Sequence, residues 1–81
     1  MQYNKAERLF LRRIGEGIRE AREKKKWSQE DLGFESGVHR TYIGAVERGE
    51  RNLSLLSLRK IVGALGVSAT AVLGEEAHAK K

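Results

Sequence analysis

The sequence predicts an all-α domain, a compact bundle of five helices, and three observations carry that prediction. One punctuation recurs four times: an apolar residue, a cap-forming residue, then another apolar residue four positions beyond the cap. Trp27-Ser28 is followed by Leu32, Val38-His39 by Ile43, Leu53-Ser54 by Leu58, and Val67-Ser68 by Val72. In each, the middle residue suits an N-cap and the apolar pair suits a hydrophobic staple. Gly37, Gly49, Gly66 and Gly74 stand just past the four segments, where a left-handed residue closes a helix. Finally, no stretch sustains the period-two alternation of a strand, and the chain has no proline to break a helix.

The first helix is expected over residues 5–25, where Phe10, Ile14, Ile18 and Ala21 recur at helical spacing. Its end is read from Lys24, Lys25 and Lys26, cations that suit the last turn. The second spans 29–36. Ser28 caps it, and Asp31 is placed to complete a capping box. The third spans 40–48 behind His39, a poorer cap than Ser or Asp. The fourth, 55–65, carries Leu55, Leu58, Ile61, Val62 and Leu65, and a short fifth covers 69–73. Residues 75–81 have no apolar stripe and are expected to fray beyond a single domain of residues 1–74.

At 81 residues the chain has room for one small core, built from Leu, Ile, Val and Ala because aromatics are only 6%. The absence of cysteine removes disulfides, thiolate metal sites and thiol nucleophiles together. No apolar run approaches the roughly 20 residues of a membrane span, so the expectation is a cytoplasmic protein without a membrane partner. The net charge is +5, and residues 1–27 alone carry +5, against −2 over 28–53 and +2 over 54–81. A basic balance favours polyanion partners through counterion release.

The second and third helices are the informative pair. Two helices of eight or nine residues joined by a short turn containing Gly37 make a helix-turn-helix. In that arrangement the second helix enters the DNA major groove and the first braces it. Gly33 suits a close crossing, while Leu32, Val38, Ile43 and Val46 supply the apolar contacts that hold the pair on the core.

From Ile14 to Leu73 the chain resembles the phage-repressor and Cro-like, or Xre-type, DNA-binding family. The runs Trp27-Ser-Gln-Glu-Asp-Leu-Gly, Gly37-Val-His-Arg-Thr-Tyr-Ile and Val46-Glu-Arg-Gly-Glu-Arg-Asn-Leu-Ser carry the resemblance. Within that family, Arg40 to Ile43 and Glu47 to Leu53 are similar to the controller proteins of restriction–modification systems. Such proteins are compact dimers that regulate their own promoter and the endonuclease gene. The resemblance therefore implies a homodimer on a pseudo-palindromic double-stranded operator, with RNA polymerase as a further partner. The chain departs from the pattern at Gly33, Lys26, His39 and Gly44. Gly44 is expected on the outer face of the third helix, where a base-contacting side chain is common, so more of the readout falls on Arg40 and Thr41.

Arg40 is the candidate for bidentate guanine recognition, and Thr41 beside it offers a hydroxyl and a methyl. Gln29 is expected to bind phosphate through its side chain and backbone N–H. Tyr42 suits either a phosphate or packing against the second helix, and Arg51 and Asn52 suit the DNA backbone. Arg48 suits either DNA or an ion pair with Glu47 or Glu50. Glu47 reads as a structural ion-pair partner, and the cations from Arg12 to Lys26 as mostly a solvated face. The dimer interface is expected around the last two helices, with Leu55, Leu56, Val67 and Val72 as candidates. His39 and His78 lie far apart with no carboxylate at ligand spacing, so neither a metal nor another cofactor is expected. No nucleophile, base and orienter fall together, so the chain does not read as an enzyme. Two rival readings stand beside the controller: a phage-type repressor, and an antitoxin-like module that holds a protein partner.

Overall fold

The computed structural model describes residues 2–74, so the tail expected to fray over 75–81 lies outside the described residues. Five helices follow in order: α1 Lys5–Lys24, α2 Gln29–Ser36, α3 Arg40–Glu47, α4 Leu55–Leu65 and α5 Ala69–Leu73. No strand occurs among the described residues.

The local signals act as caps. Ser28, Ser54 and Ser68 each accept a backbone N–H three residues on, and Ser28 forms the full reciprocal box with Asp31. Asn4 and Glu7 form a second capping box at the start of α1. His39 also caps α3, through Nδ1, which accepts the Thr41 N–H at 3.0 Å. Both apolar members of each of the four punctuations lie in the core or packed against it.

α1 packs chiefly on α3 and α5, and α2 on α3 and α4. Ile18, Leu32, Ile43 and Ile61 are fully buried at the centre, each worth about 1.5–3 kcal/mol. The buried stripe of α1 differs from the expected one at two positions. Leu11, not Phe10, joins Ile14 and Ile18, and Arg22 continues the row while Phe10 stays 42% exposed. One residue is about 100° of helix, so Phe10 is turned off the face that α3 and α5 cover.

Gly15 is required where α1 crosses α3. A Cβ there would collide with the Val46 carbonyl oxygen and lie 2.6 Å from that of Glu47. The opposite mismatch occurs at Lys26, the one non-glycine among the described residues with positive φ, at 62°. Its N–H donates to the Glu23 carbonyl at 2.9 Å and that of Trp27 to Arg22 at 3.2 Å, so the backbone closes α1 as a glycine would. Left-handed geometry costs an L-residue roughly 1–2 kcal/mol, partly offset by the larger chain entropy glycine gives the unfolded state. Lys26→Gly is therefore expected to stabilise the fold by about 1 kcal/mol, read from the midpoint of urea unfolding. Gly15→Ala is expected to destabilise it, because the clash is with backbone.

Candidate nucleic-acid interface

The interface is set from beneath by one buried ion pair. Glu47, the last residue of α3, is 8% exposed and Arg22 of α1 is 9% exposed. Arg22 Nε donates to Glu47 Oε2 at 2.7 Å and Nη2 to Oε1 at 2.9 Å, a bidentate fork. Arg22 Nη1 also donates to the Trp27 carbonyl at 2.8 Å, just before α2. The hydrogen bond to Glu47 raises the Arg22 pKa above its ordinary value, so the guanidinium stays charged. Gln29 Nε2, in the first turn of α2, donates to the same Glu47 Oε1 at 3.0 Å. Three helices are thereby tied through one carboxylate. Glu47 has the structural role its position suggested, but its partner comes from the cations expected to be solvated. The signal for Arg22 was its spacing, four residues beyond Ile18 on the buried row.

Above this clamp, α2 and α3 are joined through Gly37, left-handed at φ 75°. A Cβ on Gly33 would lie 2.7 Å from the Val38 carbonyl oxygen, so the helix and turn meet as closely as a bare backbone allows. The tight turn leaves Arg40 and Thr41 exposed at the start of α3. Arg40 Nη1 lies 3.4 Å from Glu30 Oε1, a largely exposed contact worth little energetically. Gln29, Arg40, Thr41 and Arg48 line one open cavity of about 580 Å³.

Gly44 lies at the floor of that cavity and is buried, not on a bare outer face. A Cβ there would sit 3.1 Å from Gln29 Oε1 and 3.3 Å from an Arg48 Nη atom. Two long side chains thus cover the position at which a shorter base-contacting one was expected. Gln29 enters any phosphate contact with its amide nitrogen already engaged by Glu47.

At the other end of α3, Arg48 pairs with Glu50 rather than Glu47, through bonds of 3.0 and 3.1 Å. The Arg48 hydrogen bond holds the Glu50 carboxyl below the ordinary carboxylate range. Tyr42 is half-buried against the core, and the Arg51 guanidinium stacks 4.9 Å from its ring centroid. The Tyr42 hydroxyl donates a long 3.5 Å bond to the Asn52 carbonyl. Tyr42 therefore supports the loop that displays Arg51 and Asn52.

Of the four dimer candidates, Leu55 and Leu56 are 84% and 60% exposed at the start of α4. Val67 is half-buried against the core. Val72 is a correction: at 3% exposure it belongs to the core, covered because α5 packs onto α1. His39 is used as a cap and His78 lies outside the described residues. No helix among the described residues is long and apolar enough to cross a membrane.

Comparison with known proteins finds the same helix pair. A helix-turn-helix family model matches residues 18–72. The chain belongs to the helix-turn-helix family. Among curated relatives, the control protein C.BamHI of Bacillus amyloliquefaciens is 51% identical over 55 residues, covering 67% of this chain and 68% of that one. The restriction–modification controller C.AhdI of Aeromonas hydrophila superposes with a TM-score of 0.74 at 44% identity, covering 76% of this chain and 94% of its own. SinR, a master regulator of biofilm formation solved in complex with DNA, matches at a TM-score of 0.72 and 32% identity, covering 75% of this chain and 98% of its own. This helix-turn-helix protein is a DNA-binding transcription regulator related to restriction–modification controllers, and is not an enzyme.

Arg22→Met strands the Glu47 carboxylate and is expected to cost about 3–5 kcal/mol in unfolding free energy. Arg48→Ala is expected to move the Glu50 titration up to the ordinary carboxylate range, read by NMR of the side-chain carboxyl. The sign follows from the depressed folded value: the pairing is present at neutral pH and lost as pH falls through the Glu50 pKa.

Proposed function

We propose that this helix-turn-helix protein is the homodimeric, autoregulatory controller of a restriction–modification system, working in the cytoplasm on a pseudo-palindromic operator. The observation that carries this reading is the grouping of Arg40, Thr41, Gln29 and Arg48 around one open cavity that runs along α3. Arg40 and Thr41 read base edges in the major groove. Gln29, Tyr42, Arg48, Arg51 and Asn52 hold the flanking backbone. Leu55 and Leu56 are neighbouring exposed leucines on α4, suited to burial against a second copy. Two copies related by a twofold axis would set their α3 helices in successive major grooves about one helical turn apart. The kinship with controllers such as C.BamHI and C.AhdI supports the restriction–modification setting. Contact with RNA polymerase belongs to the same reading: α2 displays Glu30, Asp31 and Glu35 beside Phe34, which is 84% exposed.

A gel-shift titration on the duplex upstream of its own gene tests this reading. A discrete dimer-sized complex that survives excess unrelated DNA is expected. Arg40→Ala should cost about 1–3 kcal/mol of discrimination while the protein stays folded. Binding indifferent to both sequence and Arg40 would favour a protein-holding module instead. Leu55→Asp with Leu56→Asp is expected to give monomers in sedimentation and to weaken operator binding more than nonspecific binding.

A further inference from the structure

We infer that the N-terminal turns of α1 form a second DNA-backbone site, in which Arg8 and Arg51 hold one phosphate flanking the recognition helix. The inference rests on the DNA-binding reading above and extends it to residues outside the matched family region, which begins at Ile18.

The site is built by a close approach. Gly49, just past α3, is left-handed at φ 77°, and a Cβ there would lie 2.5 Å from Arg12 Cγ and 3.0 Å from Arg12 Cα. A bare glycine thus lets the α3–α4 loop lie directly on the backbone of α1. The consequence is an open cavity of about 570 Å³ lined by Tyr3, Arg8, Gly49, Glu50, Arg51 and Asn52. Arg8 is fixed at its wall, because Nη1 donates to the Tyr3 carbonyl at 2.8 Å. Arg51 is fixed at the other by its stacking on Tyr42.

The carboxylates nearby are already engaged. Glu50 accepts both bonds from Arg48, and Glu7 accepts the Asn4 N–H in the capping box. Arg8 and Arg51, each held by a neighbour, thus line one open space together with a Glu50 whose charge is offset by Arg48. Arginine forks are matched to phosphate oxygens, and the cavity is continuous with the loop that follows α3. A duplex seated on α3 would carry its backbone past this loop, so the anion assigned is a DNA phosphate and not a free ion.

The test uses fluorescence anisotropy on the upstream duplex and on an unrelated duplex, across 50–200 mM salt. It compares wild type, Arg8→Ala, Arg8→Lys and Arg40→Ala. Removing one phosphate contact lowers the slope of log K against log salt by about 0.9. Arg8→Ala is therefore expected to shrink the loss of affinity across this range by about threefold. It should weaken both duplexes by the same factor, while Arg8→Lys keeps the wild-type slope. Trimming the duplex flank should make wild type and Arg8→Ala converge. An unchanged slope in Arg8→Ala overturns the inference while leaving the operator reading intact. So does equal weakening in both Arg8 variants without a change of slope, which marks a purely structural role for the Tyr3 bond. A wild-type protein that binds neither duplex overturns both readings, and an altered operator-to-unrelated ratio confined to Arg40→Ala separates base readout from this site.

Discussion

The Glu47 carboxylate is the point at which three helices are fixed to one another. It accepts a two-pronged bond from Arg22 on α1 and another from the Gln29 side chain on α2, while itself closing α3. A buried pair of this kind is not primarily a source of stability, since desolvation offsets much of the Coulomb attraction. Its value here is directional. Apolar packing among Leu, Ile and Val tolerates small rotations, whereas a fork of bonds at 2.7 and 2.9 Å does not. The pitch of α3 relative to α1 and the resting position of Gln29 follow from that geometry.

The side chains proposed to meet DNA stand on this frame. His39 caps α3, so its first turn is formed up to Arg40 and Thr41. Tyr42 connects the buried and exposed sides: its ring lies against the core and carries the Arg51 guanidinium on its other side. Basic side chains thus meet the solvent along α3 and its loop from supports that are themselves packed. The small size of the core limits the stability available, and the exposed Leu55 and Leu56 supply apolar area that a second copy would bury.

The fold was legible because its signals are local. A serine before a helix, or a glycine after one, acts on backbone groups within three or four residues, so sequence spacing is enough to place it. The end of α1 was legible from its lysines, although Lys26 adopts the left-handed geometry without being glycine. What depended on a neighbour from elsewhere in the chain was harder to read. Arg22 looked like one more cation on a solvated helix, and only α3 folding back with Glu47 makes it a core residue. Val72 looked available for a dimer until α5 packed onto α1. Gly44 suggested a bare recognition face, yet the reach of Gln29 and Arg48 covers it. The exchange of Phe10 for Leu11 has the same origin: periodicity gives a stripe, but the partner helices decide which edge of it is covered.

In the proposed complex α3, held by the Arg22–Glu47 clamp, presents Arg40 to guanine in the major groove. Methylation interference on the upstream duplex tests it most directly, because N7-methylguanine blocks a major-groove contact and N3-methyladenine a minor-groove one. Interference is expected at guanine N7 in two places about one helical turn apart, lost for the Arg40→Ala protein. Interference confined to adenine N3, or none at any guanine, would contradict it.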